Sequence, residues 1–164
     1  LSLAIELLSK QHDRMGFDCG DNELNQFLQR TARQHINKGI SRTFVLVDGE
    51  QADKIIAYMT LVVCEVLSSE IPSRWQKKYP ARIPAAKLAR LAVSKSRQRS
   101  GYGAVLLVDA IKKTVSAAEH VGIAGLFVDA KHEQAKAYYS QFGFLSLPDQ
   151  LCNLFLPLAT LKKM

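Results

Sequence analysis

The 164 residues make about one domain's worth of chain, and a composition of 48% apolar and 23% charged residues matches a globular protein with a sizeable core. No apolar run approaches the length of a membrane-spanning helix, and Leu1–Leu8 lacks a basic n-region and is interrupted by Glu6, so the sequence leads us to expect a soluble, cytoplasmic single domain over 1–164 with an edge strand at its start. The net charge of +7 is uneven: residues 71–99 hold nine basic side chains and no acid, leaving 13 basic and 15 acidic side chains elsewhere, a block suited to a polyanion such as CoA phosphates or a nucleic-acid backbone.

Along the chain, Phe17-Asp18-Cys19-Gly20-Asp21-Asn22 supplies turn and capping chemistry, and Leu24, Phe27, Leu28 and Thr31 then recur at helical spacing, which predicts a helix from about Asn22 to His35. Gly39 breaks that pattern. Thr43–Val47, closed by Asp48-Gly49, and Ile55–Val63 read as an antiparallel pair of strands. Pro72, Pro80 and Pro84 rule out a long helix or a central strand between Ser68 and Pro84, so a basic loop or a short broken helix is expected there. Lys87–Val93 reads as a strand, Ala104 to about Val121 as a long helix, Leu126–Asp129 as a short buried strand, Glu133–Phe142 as a helix stopped at Gly143, and Asn153–Leu156 as a last strand before Pro157. The order is α/β or α+β, with a mixed sheet and helices on its faces.

Cys19, Cys64 and Cys152 are odd in number and widely spaced, which argues against a disulfide framework and against a zinc site. No metal is expected. The segment Gln98-Arg99-Ser100-Gly101-Tyr102-Gly103 carries more information, because it lies between a strand and a helix. A helix N-terminus leaves backbone N–H groups unpaired, and glycines at 101 and 103 can take positive φ and carry no Cβ, so the amides from Arg99 to Ala104 form a candidate pyrophosphate cradle. Arg97 and Arg99 add charge there. A P-loop would need Gly-Lys-Ser/Thr where Ala104-Val105 stands, and a dinucleotide fingerprint would need a small residue in place of Leu106. The pattern that fits is Gln/Arg-x-x-Gly-x-Gly/Ala, the pyrophosphate loop of GNAT acetyltransferases.

Further stretches extend the match: Phe17-Asp-Cys-Gly-Asp-x-x-Leu-Asn-x-Phe-Leu28, Ser41-Arg-Thr-Phe-Val45, Leu88-Ala-Arg-Leu-Ala-Val93, Ala135-Lys-Ala-Tyr-Tyr-Ser-Gln-Phe-Gly-Phe144 and Leu154-Phe-Leu-Pro-Leu158. In this order they make the chain resemble the GNAT toxins of bacterial type II toxin–antitoxin pairs, nearly end to end. The resemblance implies a GNAT fold with a mixed, mostly antiparallel sheet, and a strand end at Leu91, Ala92 and Val93 whose backbone pairs with the pantetheine arm of acetyl-CoA. It also implies acetyl transfer to the α-amine of an aminoacyl-tRNA, which stops translation, a homodimer, and a small DNA-binding antitoxin. Two positions depart from the pattern: Arg99 replaces the usual glycine, and Ser100 the usual basic residue.

The chemistry needs an unprotonated amine, donors for the developing oxyanion and an acid near the leaving thiolate. By resemblance, Tyr139 faces the CoA sulfur and is the candidate acid, while Tyr138 reads as a core aromatic beside Phe142. A backbone amide of the Leu91–Val93 strand, Val93 first, is the candidate oxyanion donor. An α-amine with a pKa of about 7.7 to 8 asks little of a general base, and none stands out among His12, His35, His120, His132 and Glu65. For tRNA, the candidate phosphate contacts are Arg30, Arg33, Lys38, Arg42, Arg74, Lys77, Lys78, Arg82 and Arg90, with Trp75 and Tyr79 available for stacking. Two further readings stay open: a GNAT enzyme for a small-molecule or protein amine, and a non-catalytic acyl-CoA- or RNA-binding module.

Overall fold

The computed structural model describes residues 2–129, 133–147 and 150–161, with the side chains of 133–135 and 150–152 outside the description. His132 and the side chain of Cys152 therefore lie outside the described residues. Seven strands pair in the order β1-β2-β3-β4-β5-β7-β6. They are β1 Leu3–Leu7, β2 Arg42–Asp48, β3 Ala57–Leu67, β4 Arg82–Val93, β5 Gly125–Asp129, β6 Leu145–Leu147 and β7 Gln150–Pro157. The helices are α1 Asn22–Gln26, α2 Ala32–Asn37, α3 Ser73–Gln76, α4 Tyr102–Ala118, α5 Glu133–Ser140 and α6 Leu158–Leu161. This is the mixed α/β sheet with flanking helices that the sequence suggested.

Two compact units emerge, one of Leu1–Val62 with Ala89–Ala110, the other of Val63–Leu88 with Ile111–Met164. In the first, β1 pairs antiparallel with β2, and β2 antiparallel with β3. Thr43 and Thr60 face each other in that register and join their hydroxyls at 2.8 Å, which satisfies two fully buried polar groups inside the sheet. The core of this unit is built on Leu8, Phe17, Phe27, Leu28, Val45, Val47 and Tyr58. The apolar positions at 24, 27 and 28 point the helical run into it, as their spacing predicts.

That run extends two residues past its expected end and is not a uniform α-helix. Phe27–Thr31 form a π-helical turn between α1 and α2, with the Ala32 N–H bonded to the Phe27 carbonyl five residues back. Arg14 Nη1 donates to the Gln29 carbonyl at 2.7 Å within this turn. Periodicity could not show the turn, because a single π turn shifts the helical phase by less than one residue.

In the second unit, β4 runs parallel to β5 over Ala86–Leu88, and β7 lies antiparallel to both β5 and β6. Gly125 is required here: a Cβ on it would fall 2.5 Å from the Leu156 carbonyl oxygen and 2.5 Å from the Phe155 ring. Between Ser68 and Pro84 the chain forms a 3-10 turn, Ser68–Glu70, and the single turn α3, as the prolines suggested. One expectation fails. Pro84 lies inside β4, which starts at Arg82 and not at Lys87; its carbonyl accepts the Ala124 N–H at 2.8 Å, and a proline forfeits only the donor. The strand β6 and helix α6 went unforeseen because three and four residues are too short to establish a period.

Candidate active site

The stretch Phe17–Asn25 folds into a self-capped turn. Asp21 Oδ1 accepts the Leu24 N–H at 3.2 Å and caps α1. Asp18 Oδ1 accepts from the Gly20 N–H and from Asn25 Nδ2, both at 2.9 Å, while Asn25 Oδ1 accepts the Cys19 N–H at 2.9 Å. The Asn25 amide, followed by the Gly20 N–H, holds the Asp18 carboxyl below the usual carboxylate range. The side chains of Asp18, Asp21 and Asn25 are thus all engaged in shaping the turn.

The turn is joined to the segment that follows β4. The Lys95 N–H donates to the Asp18 carbonyl at 2.9 Å, and Lys95 Nζ lies 3.6 Å from Asp18 Oδ2. Gln98 Nε2 donates to the Cys19 carbonyl at 2.9 Å and to the Val93 carbonyl at 3.0 Å. Sequence reasoning placed Gln98 among the cofactor contacts and did not foresee these two bonds, which join residues 79 and 5 positions away in the chain.

Beyond Gln98 the backbone turns sharply. Arg99 has φ 63° and Gly101 has φ 86°, both left-handed. Gly103 does not: it is the second residue of α4 and helical, so of the two glycines that can take positive φ only Gly101 does. The departure noted at position 99 thus falls on the one non-glycine residue of positive φ among the described residues. Among those residues, no backbone N–H from Arg99 to Ala104 donates to a protein acceptor, and the first amide of α4 to do so is Val105, bonded to the Gly101 carbonyl at 3.2 Å. A Cβ on Gly101 would meet nothing within 4 Å, so the space beside it is open. Arg97 Nη1 lies 3.4 Å from the Tyr102 hydroxyl, and Ser100 Oγ 3.5 Å from the Gln98 carbonyl. Six unspent amides at a helix N-terminus, with two arginines beside them, fit a diphosphate.

Leu91, Ala92 and Val93 form the last three positions of β4, with Ala92 buried and the other two half-buried. The peptide after Val93 is held at both atoms, its oxygen by Gln98 and its nitrogen by the Ile56 carbonyl, to which the Ser94 N–H donates at 2.8 Å.

Tyr139 belongs to the other unit, on α5. It is 8% exposed and meets Tyr138 and Phe144 edge to face, with ring centroids 5.5 and 5.7 Å away. Burial, reinforced by Tyr138, pushes its phenol up to about 12. Tyr138, half-buried, meets Phe142 edge to face with centroids 5.3 Å apart, and its buried hydroxyl has no partner among the described residues. The helix ends at Ser140, and the turn that follows it closes at Gly143, left-handed at φ 93°.

The basic candidates divide between the units. Arg30 stands exposed on the π turn, Arg33 is half-buried on α2, and Lys38 and Arg42 are exposed at the helix end and on β2. Arg90 lays its guanidinium 3.6 Å from the centre of the Phe27 ring. In the second unit Arg74 and Lys77 are exposed, Lys78 sits 4.8 Å over Trp75, and Arg82 is bonded at 2.8 Å to Glu65, so that pair spends its charge locally. Tyr79 packs edge to face on Phe155 at 6.5 Å. His12 is buried; its Nδ1 accepts the Ser9 N–H at 3.0 Å, so its proton sits on Nε2 and bonds Glu6 at 2.9 Å, a structural use of the ring. Cys19 and Cys64 are free thiols raised by burial. Among the described residues no metal-binding group of side chains occurs, and no helix is long and apolar enough to cross a membrane.

Known proteins resemble this chain over most of its length. The tRNA-acetylating toxin of Mycobacterium tuberculosis is 32% identical over 150 residues, covering 91% of this chain and 88% of that protein. A crystal structure of a tyrosine-to-phenylalanine mutant of KacT superposes with TM-score 0.92 at 33% identity, covering 99% of both chains. AtaT complexed with acetyl-methionyl-tRNAfMet gives 0.90 at 36% identity, covering 99% and 98%. A tyrosine-to-phenylalanine mutant of the AtaT toxin, bound to the C-terminus of the antitoxin AtaR and acetyl-CoA, gives 0.81 at 32% identity, covering 99% and 98%. The model of the acetyltransferase (GNAT) family matches residues 6–144, and the chain belongs to that family.

Proposed function

We propose that this acetyltransferase moves an acetyl group from acetyl-CoA to the α-amine of an aminoacyl-tRNA and so acts as a translation-blocking toxin. The observation that carries this reading is the row of unspent amides from Arg99 to Ala104 beside a left-handed turn, in a chain that follows a tRNA-acetylating toxin along nine-tenths of its length. Those amides, with Arg97 and Arg99, would hold the diphosphate of the cofactor. Acetyl-CoA supplies the thioester. The backbone of Leu91, Ala92 and Val93 would align its pantetheine arm, with the Val93 N–H the donor for the developing oxyanion.

The attacking group is an α-amine with a pKa of about 7.7 to 8, partly neutral at physiological pH, so no side-chain base is needed. As the carbon–sulfur bond breaks, Tyr139 donates its phenolic proton to the sulfur, and the proton that the attacking nitrogen sheds on becoming an amide passes to solvent, from which the phenolate is reprotonated. Its ring sits in an apolar setting that disfavours the phenolate, so the proton is still present at about pH 8 to 10, where the amine has become neutral. Arg30, Arg33, Lys38, Arg42 and Arg90 from one unit would meet tRNA phosphates, as would Arg74, Lys77, Lys78 and Arg82 from the other, where Trp75 and Tyr79 are available for stacking. The partners under this reading are a cytoplasmic aminoacyl-tRNA, a cognate DNA-binding antitoxin and a second copy of the chain, and the whole of 1–164 works as one domain.

Expression in growing bacteria tests this. The wild-type chain is expected to arrest growth and to leave N-acetylated aminoacyl-tRNA in the extracted RNA, whereas Tyr139→Phe permits growth. Unimpaired growth with unmodified aminoacyl-tRNA, despite turnover of acetyl-CoA on a small amine, would transfer the assignment to that amine.

A further inference from the structure

Gln98 opens the cofactor-loop pattern, yet its amide nitrogen is already committed, at 2.9 Å to the Cys19 carbonyl and at 3.0 Å to the Val93 carbonyl. An amide nitrogen has two hydrogens, and both are accounted for. We infer that Gln98 is a positioning residue for acetyl-CoA binding: its side chain ties the end of β4 to the Asp18–Asn22 turn and thereby sets the direction in which the Arg99–Ala104 amides leave the strand. This rests on the reading of the loop as the diphosphate site.

The carbonyl of Val93 and the N–H of Ser94 belong to one peptide group. Gln98 holds the oxygen and the Ile56 carbonyl receives the N–H at 2.8 Å, so this plane cannot rotate without losing a bond. Next in the chain, the Lys95 N–H is held by the Asp18 carbonyl at 2.9 Å, and the Asp18 turn is in turn held to Gln98 through Cys19. Five residues after Ser94, Arg99 enters the left-handed region at φ 63°, where a side chain with a Cβ resides only if its surroundings impose it. A strut at Gln98, immediately before the turn, is placed to impose it. No other side chain of the loop reaches both the strand end and the turn: Arg97 goes to Tyr102, and Ser100 goes back to the Gln98 carbonyl.

The chemistry separates this role from direct contact with the cofactor. Gln98→Met has similar length, no charge and no donor. The strut role gives two expected results for it. The acetyl-CoA KM and Kd rise about tenfold while kcat stays within about twofold, the size of about one net hydrogen bond lost from pre-organisation. In the cofactor-free protein, the Ser94 and Lys95 amides exchange with solvent deuterium at least about tenfold faster, because they sit on the plane and turn that Gln98 fixes. A raised KM with unchanged exchange would mean that Gln98 touches the cofactor directly, and an unchanged KM would mean that it does neither; both overturn the inference. Should Gln98→Met fail to fold, Gln98→Asn, one methylene short of the two carbonyls, gives the same comparison. If the wild-type chain binds no acetyl-CoA, the reading of the loop fails, while faster exchange in the variants would still establish the strut.

Discussion

Arg99 and Gly101, two residues apart, both hold a left-handed backbone, at φ 63° and 86°, and only one of them is built for it. The strain at Arg99 is of order 1–2 kcal/mol, partly offset in any exchange to glycine by the extra freedom of the unfolded chain. Arg99→Gly is therefore expected to stabilise the protein by about 0.5 kcal/mol, and Gly101→Ala to destabilise it by about 1 kcal/mol although space is open around it. Denaturant unfolding checks both signs. Arg99→Gly should also weaken acetyl-CoA binding several-fold at low salt and less at high salt, since the lost charge is exposed. Stability and affinity then move in opposite directions at one residue.

Tyr139 and Tyr138 are adjacent and both raised by burial, but opposite consequences are expected from removing their hydroxyls. Tyr139→Phe removes the proposed proton donor and should lower kcat by about 10²–10⁴, with the acetyl-CoA KM little changed. Tyr138→Phe removes a buried hydroxyl that has no partner among the described residues, so it should leave kcat near wild type and stabilise the fold by up to about 1 kcal/mol. Steady-state kinetics and thermal melts on the two variants provide the check.

The pH dependence has two separate parts. With the acid at about 12 and the amine near 8, kcat/KM should climb with pH as the amine loses its proton and reach a plateau by about pH 9, with no descending limb below pH 10. Stability behaves otherwise. Tyr139 keeps its proton more tightly in the fold, about 12 against about 10 unfolded, so its contribution is complete below pH 10 and is lost as pH rises from 10 through 12. Tyr58, raised by burial, acts in the same direction. Melting temperature against pH from 8 to 12 should be flat and then fall.

Glu65 and Arg82 form a mutual ion pair at 2.8 Å, both exposed. If Arg82 belongs to the tRNA surface, neutralising its partner frees it: Glu65→Gln should tighten tRNA binding a few-fold at low salt, whereas Arg74→Ala should weaken it and reduce the salt slope by about one. Filter binding over a salt series reads both. Weaker binding in Glu65→Gln would remove Arg82 from the surface.

Much of the fold was legible because its long elements carry clean periods. Leu24, Phe27 and Leu28 announced a helix, Thr43–Val47 and Ile55–Val63 a hairpin pair, and Gly101 the turn before α4. What escaped has a common cause. The π turn at Phe27–Thr31, the strand through Pro84 and the helical state of Gly103 all depend on where backbone hydrogen bonds go, which residue type alone does not reveal. At the site, the loop was legible as a charged, glycine-bearing strand-to-helix turn. The Gln98 bonds to Cys19 and Val93 were not, since nothing local links position 98 to position 19. The motif Phe17–Leu28 was the available signal: so many capping residues in one short run mark a turn whose exact shape matters.

Purified protein incubated with isotopically labelled acetyl-CoA and total aminoacylated tRNA, followed by nuclease digestion and mass spectrometry, addresses the central claim most directly. The expected result is label on the α-nitrogen of an amino acid still esterified to adenosine, absent with deacylated tRNA and absent with Tyr139→Phe. Label confined to protein lysines or to added small amines, with every aminoacyl-adenosine unmodified, would contradict it.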